Sequence, residues 1–130
     1  MNFNNLLIGS GDPQRLVEYY SKLLGKPAFE GEGFASWQIG TGFVSVGPHD
    51  EVHGQNEQPG RIIWNIETAD VPGDFARFKD AGATVVREPY TFGDGSGPSA
   101  LIATFSDPDD NYFQLMTAMN MGDEAKTEES

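Results

Sequence analysis

The chain has 130 residues and a mass of 14.2 kDa, enough for one domain or two small repeats. Eight Lys and Arg against twenty Asp and Glu leave a formal net charge of −12, which excludes the basic footprint of a nucleic-acid binder and attraction to an anionic membrane. Cysteine is absent, so disulfides, thiolate metal sites and a cysteine nucleophile are excluded as well.

Phe3 to Gly9 is a short apolar run closed by Gly9 and Gly11, the pattern of a strand. Asp12-Pro13 supplies a helix N-cap and a proline at the first helical position, where the missing N–H costs nothing. Leu16, Tyr19, Tyr20, Leu23 and Leu24 then share one helical face, and Gly25 and Pro27 stop the helix. Strand-like runs follow at Ala28-Phe29, Phe34 to Ile39 and Phe43 to Val46, with glycines between them. Pro48 to Gly60 is polar and unpatterned, a linker. The order then returns. Arg61 to Thr68 reads as a strand, and Asp70-Val71-Pro72 opens a helix with Val71, Phe75, Phe78 and Ala81 on its apolar face, ended by Gly82. Thr84 to Arg87 is a short strand. Phe92 to Ser99 is too rich in glycine for regular structure and is expected to be a mobile loop beside a cleft. Ala100 to Phe105 and Tyr112 to Met116 form a strand pair joined by the turn Asp107-Pro108-Asp109-Asp110-Asn111. The tail 119–130 is acidic, lacks apolar periodicity and is expected to be disordered. No basic region with an apolar run opens the sequence, and no stretch reaches the ~18 apolar residues of a membrane helix, so a cytoplasmic setting is expected.

Both halves run strand, Pro-initiated amphipathic helix, terminal Gly and three short strands, at a period of about 58 residues, the sign of a duplicated α+β module. On these features the sequence resembles the vicinal oxygen chelate superfamily, which includes glyoxalase I, extradiol dioxygenases, fosfomycin-modifying enzymes and bleomycin-resistance proteins. The residues that carry the resemblance are Asp12 with Tyr19 to Gly25, Glu67 to Val71, Lys79 to Gly82, and above all Asp107-Pro108-Asp109-Asp110-Asn111 followed by Tyr112 to Leu115. The resemblance implies one domain over residues 1–118, built from two βαβββ modules (3–47 and 61–117) joined by the linker 48–60. Their paired, curled mixed sheets would enclose a cleft, with one helix behind each sheet. It also implies a homodimer.

Metal-dependent members of that superfamily hold one divalent ion with two His and one or two Glu. The corresponding positions here fall on Asn5, Ile63, Gln114 and the stretch Ser45 to Gly47. Ile63 has no donor, and amide oxygens replace imidazole or carboxylate poorly around a transition ion. The resemblance therefore implies a member with no metal site and no cofactor. His49 and His53 have the i, i+4 spacing of a zinc motif, but they lie in the linker and read as solvated loop residues. Asp107, Asp109 and Asn111 lack the glycine and distal carboxylate of a calcium loop and read as a turn.

Strand alternation sends Trp64, Phe113 and Leu115 toward the helices. The candidate binding wall is Asn5, Leu7, Trp37, Phe43, Ser45, Ile63, Asn65, Tyr90, Phe92, Phe105, Tyr112, Gln114 and Met116. Such a wall is apolar and ring-lined with a few amides, and suits a planar ligand. The expected function is metal-independent binding of a small aromatic or polycyclic molecule, as in antibiotic sequestration. The alternative is a metal-independent isomerase or lyase using Glu67 or Tyr112 as acid or base, since a carboxylate in an apolar pocket can become a general base.

Overall fold

A computed structural model describes residues 1–92 and 100–118. The elements in chain order are β1 (Asn5–Ser10), α1 (Pro13–Leu24), β2 (Phe29–Gly31), β3 (Phe34–Ile39), β4 (Gly42–Pro48), β5 (Trp64–Glu67), α2 (Val71–Asp80), β6 (Thr84–Phe92), β7 (Ala100–Ser106) and β8 (Tyr112–Met116). Each helix begins as its sequence dictates. The Asp12 carboxylate accepts from the Arg15 backbone N–H and Asp70 does the same for Gly73, with proline in the first turn of both helices. Gly25 takes the positive φ of 87° that ends α1, a conformation that costs glycine little.

Two four-stranded mixed sheets form, in the orders β1-β4-β3-β2 and β5-β8-β7-β6. The pairs β1·β4 and β5·β8 are parallel and the others antiparallel. This is the expected α+β fold of two βαβββ modules, each with its helix packed on one sheet face. Apolar residues of one parity cover that face. Leu16, Tyr20 and Leu23 of α1 meet Ala35, Trp37, Val44 and Val46, while Phe78 of α2 meets Ala103, Phe105, Phe113 and Leu115. The two sets fuse into one core, and Tyr20 joins them. Its ring centroid lies 6.1 Å from Trp37 in its own module and 5.5 Å from Phe113 in the other.

Several strand boundaries differ from the expectation, β2 being Phe29–Gly31 and β4 Gly42–Pro48. β1 starts at Asn5 rather than Phe3. The expected strand over Arg61 to Thr68 shrinks to Trp64–Glu67, leaving Ile62 and Ile63 in the connection. β6 runs past Arg87 to Phe92, through Pro89, with register shifts between Val85 and Arg87 and between Arg87 and Tyr90. A bulge is where a strand tolerates a residue without a backbone donor. The glycine-rich loop lies largely in 93–99, and it and the tail 119–130 are outside the described residues.

The turn 107–111 fastens the modules together. Asp107, only 3% exposed, accepts from the Tyr20 hydroxyl at 2.7 Å and from the backbone N–H groups of Asp109 and Asn111. Asp109 accepts from the Ser10 hydroxyl at 2.6 Å and pairs with Arg15. Asn56 binds the same turn through its backbone N–H to the Asp109 carbonyl and its amide to Asn111. These acids are consumed as hydrogen-bond acceptors within the fold, which is the turn reading of the sequence.

Candidate functional site

Pairing partners across a sheet share a face, so the register fixes which side chains the helices leave uncovered. On the first sheet Asn5 pairs Phe43, and Leu7 pairs Ser45, which in turn pairs Ser36. The two serine hydroxyls lie 2.7 Å apart. Leu7 and Phe43 remain 52% and 39% exposed on this open face. On the second sheet, Asn65, Gln114, Thr104 and Arg87 form one row across all four strands, and Glu67, Met116, Ile102 and Tyr90 form the next. Tyr112 and Ser106 begin a third. The Gln114 side-chain amide donates to the Thr104 hydroxyl at 3.0 Å.

Ten of the predicted wall residues therefore lie on these faces or at the seam between the modules: Asn5, Leu7, Phe43, Ser45, Ile63, Asn65, Tyr90, Tyr112, Gln114 and Met116. Two do not. Trp37 and Phe105 are core residues, 2% and 0% exposed. Trp37 donates its indole N–H to the Gly25 carbonyl at 2.8 Å, and Phe105 packs between Phe75, Phe78 and Phe113. Both have helix-side parity, Trp37 through its pairing with Val44 and Phe105 through its pairing with Phe113. An aromatic on a strand says nothing of which face it takes. Phe92 belongs to β6 by its backbone, and its side chain is outside the described residues. Phe113 and Leu115 are buried helix-side residues as expected, and Trp64 stacks on Phe113 at 5.5 Å.

A cavity of about 790 Å³ opens at the seam. Phe3, Leu6, Ile39 to Val44 line it from the first module, and Ile62 to Glu67 from the second. The two halves are unequal at their corners. The five-residue turn Asp107–Asn111 closes the junction at one end, whereas the matching connection between β3 and β4 is only Gly40-Thr41. The candidate wall does not include Phe3, Leu6 and Ile62; Leu6 and Ile62 carry helix-side parity, and Phe3 precedes β1.

The donor set at the superfamily's metal positions does not fit a divalent ion. Asn5 and Gln114 present neutral amide oxygens, and Ile63 is a hydrocarbon. No cluster of three or more His, Asp or Glu side chains that could hold a metal occurs among the described residues. The linker at His49 and His53 is not helical, and His49 Nδ1 accepts from the Glu51 backbone N–H. Glu67 and Tyr112 both reach the open face, but at opposite ends of β8. Glu67 pairs Met116, four residues along the strand from Tyr112, about 13 Å at strand rise. Glu67 is solvent-exposed rather than enclosed in an apolar pocket.

Arg87 was missed. Uninterrupted alternation puts Arg87 and Tyr90 on opposite faces, but the register shifts around Arg87 bring both onto the open face. The guanidinium carbon sits 3.5 Å from the centre of the Tyr90 ring. The sequence signal was Glu88-Pro89 inside an otherwise strand-forming run.

Duplicated βαβββ modules with two mixed sheets and a joint core define a fold of the vicinal oxygen chelate type. The chain belongs to the glyoxalase-like domain family, whose sequence model matches residues 5–116. None of the curated proteins matches it. Among solved structures it is similar to a glyoxalase/bleomycin resistance protein from Catenulispora acidiphila, with 19% identity over 91% of this chain and 100% of that one and a TM-score of 0.69. A glyoxalase/bleomycin resistance protein/dioxygenase from Alicyclobacillus acidocaldarius gives 15% identity over 91% and 92% of the two chains, with a TM-score of 0.71. An integron cassette protein from the mobile metagenome of Vibrio cholerae gives 22% identity over 92% and 96%, with a TM-score of 0.67. At these identities the likeness is one of fold.

Proposed function

We propose that this protein binds a small, planar organic molecule without a metal ion, and acts by sequestration in the manner that the names of its bleomycin-resistance neighbours suggest. The observation that carries the reading is the seam cavity and the second sheet's open face, where apolar side chains alternate with amides and the superfamily's ligand positions hold Asn5, Ile63 and Gln114. Apolar walls with a few fixed polar groups are what a small-molecule site requires. The reading carries with it a cytoplasmic homodimer, with Leu7, Phe29 and Phe43 available to an apolar interface.

A thermal-shift screen of aromatic molecules tests it. A ligand at a hundredfold excess over its Kd stabilises the fold by about 2.7 kcal/mol. Met116→Glu places a second carboxylate beside Glu67 on the open face and is expected to abolish the shift, with circular dichroism of the unliganded variant checking that it still folds. A chain that serves only as a scaffold would respond to no compound. Sedimentation at several concentrations tests the dimer.

A further inference from the structure

Arg87 is the one basic side chain that the described residues place on an open sheet face. Arg15, Lys22, Arg77 and Lys79 belong to the helices, and Lys26 and Arg61 to connections. The other three arginines are held by acceptors of their own chain: Arg15 by Asp109, Arg61 by Gln58, and Arg77 by the Leu23 carbonyl and Asp74. Arg87 has no carboxylate within 4 Å among the described residues and lies instead over the Tyr90 ring. That stack depends on the irregular register of β6, which turns both side chains the same way. Bulges of this kind re-aim side chains beside functional sites.

We infer, resting on the binding role proposed above, that the ligand is a planar organic acid whose carboxylate is received by Arg87. A guanidinium laid on a ring keeps its N–H donors in one plane with their outer edge free, the geometry that grips a carboxylate through two parallel hydrogen bonds. Stacking also restricts the side chain beforehand, so less freedom is lost on binding. The adjoining row supplies the rest. In the same row as Tyr90, the half-buried Met116 offers an apolar surface for the ring, the Ile102 between them being buried, and Gln114 is oriented by its bond to Thr104. Asn65 lies three strands from Arg87, about 14 Å away, which sets the longest ligand that this row can hold at both ends. The chain's overall −12 charge opposes anions at long range, but salt screens that field beyond about 8 Å. Contact with Arg87 is what would hold an acid here.

Titration calorimetry on the full chain, at about physiological ionic strength, decides it with three matched probes: 2-naphthoate, neutral 2-naphthamide and cationic 2-naphthylmethylamine. The acid is expected to bind at least about tenfold more tightly than the amide. Arg87→Met, whose unbranched stem still covers Tyr90, is expected to bring the acid down to the amide's affinity and to leave the amide unchanged. Arg87→Lys keeps the charge but loses the planar fork, and is expected to retain only part of the difference. Arg87→Gln repeats the test should the Met variant fold poorly. If the amide or amine equals the acid, or the Met variant leaves the ratio intact, the organic-acid inference is overturned while the face remains a binding site. Binding of none of the three overturns both.

Discussion

Asp107 shows how one buried side chain governs the response to acid. Burial raises its pKa above the usual carboxyl range, while hydrogen bonds from the Asn111 backbone and the Tyr20 hydroxyl pull it back. A carboxyl raised on folding adds stability below its unfolded value, near 3.8, and that contribution is lost as pH climbs through the folded value. Tyr20→Phe removes a donor that favours the charged form, so the folded value climbs further. The variant is expected to lose about 1–3 kcal/mol near neutral pH, and clearly less in acid; urea unfolding at the two pH values measures this. A second single-residue test concerns packing. A Cβ at Gly47 would meet the Phe34 ring at 2.0 Å, so Gly47→Ala must displace that ring and is expected to cost about 1–3 kcal/mol in the same assay.

Among the elements, the helices were fully legible. Proline in the first turn, aspartate before it and one apolar face fix both ends and the buried side, and Asp70→Ala is expected to cost about 1 kcal/mol in chemical denaturation. The strands were legible as to existence and order, less so as to extent and facing. Trp37 and Phe105 were assigned to the wrong face because an aromatic ring suits the core and a ligand wall equally, and only parity counted from a correct strand start separates them. β6 was cut short at Arg87 because Pro89 normally ends a strand. The register shifts that accommodate it are a matter of pairing with β7, which local sequence does not encode. The placement of Arg87 on the open face is hidden from the sequence for the same reason. The face of Gln114 is legible because the motif running from Asp107 to Leu115 fixes its place on the strand.

At the scale of the molecule, the two modules share one core through Tyr20, which predicts that they unfold together. Trp37 reports the first module and Trp64 the second. Single-tryptophan variants, Trp37→Phe and Trp64→Phe, are expected to give coincident urea transitions by fluorescence and by circular dichroism; separated midpoints would show the modules melting independently. The unequal turns have a consequence for how such a protein changes over time. One copy of the duplicated plan acts as a rivet, its acids sunk into the neighbour, and there sequence drift is costly. The other copy, with only Gly40-Thr41 at the corresponding corner, bears no such duty. Mutations there can reshape the hollow while the rivet keeps the halves together.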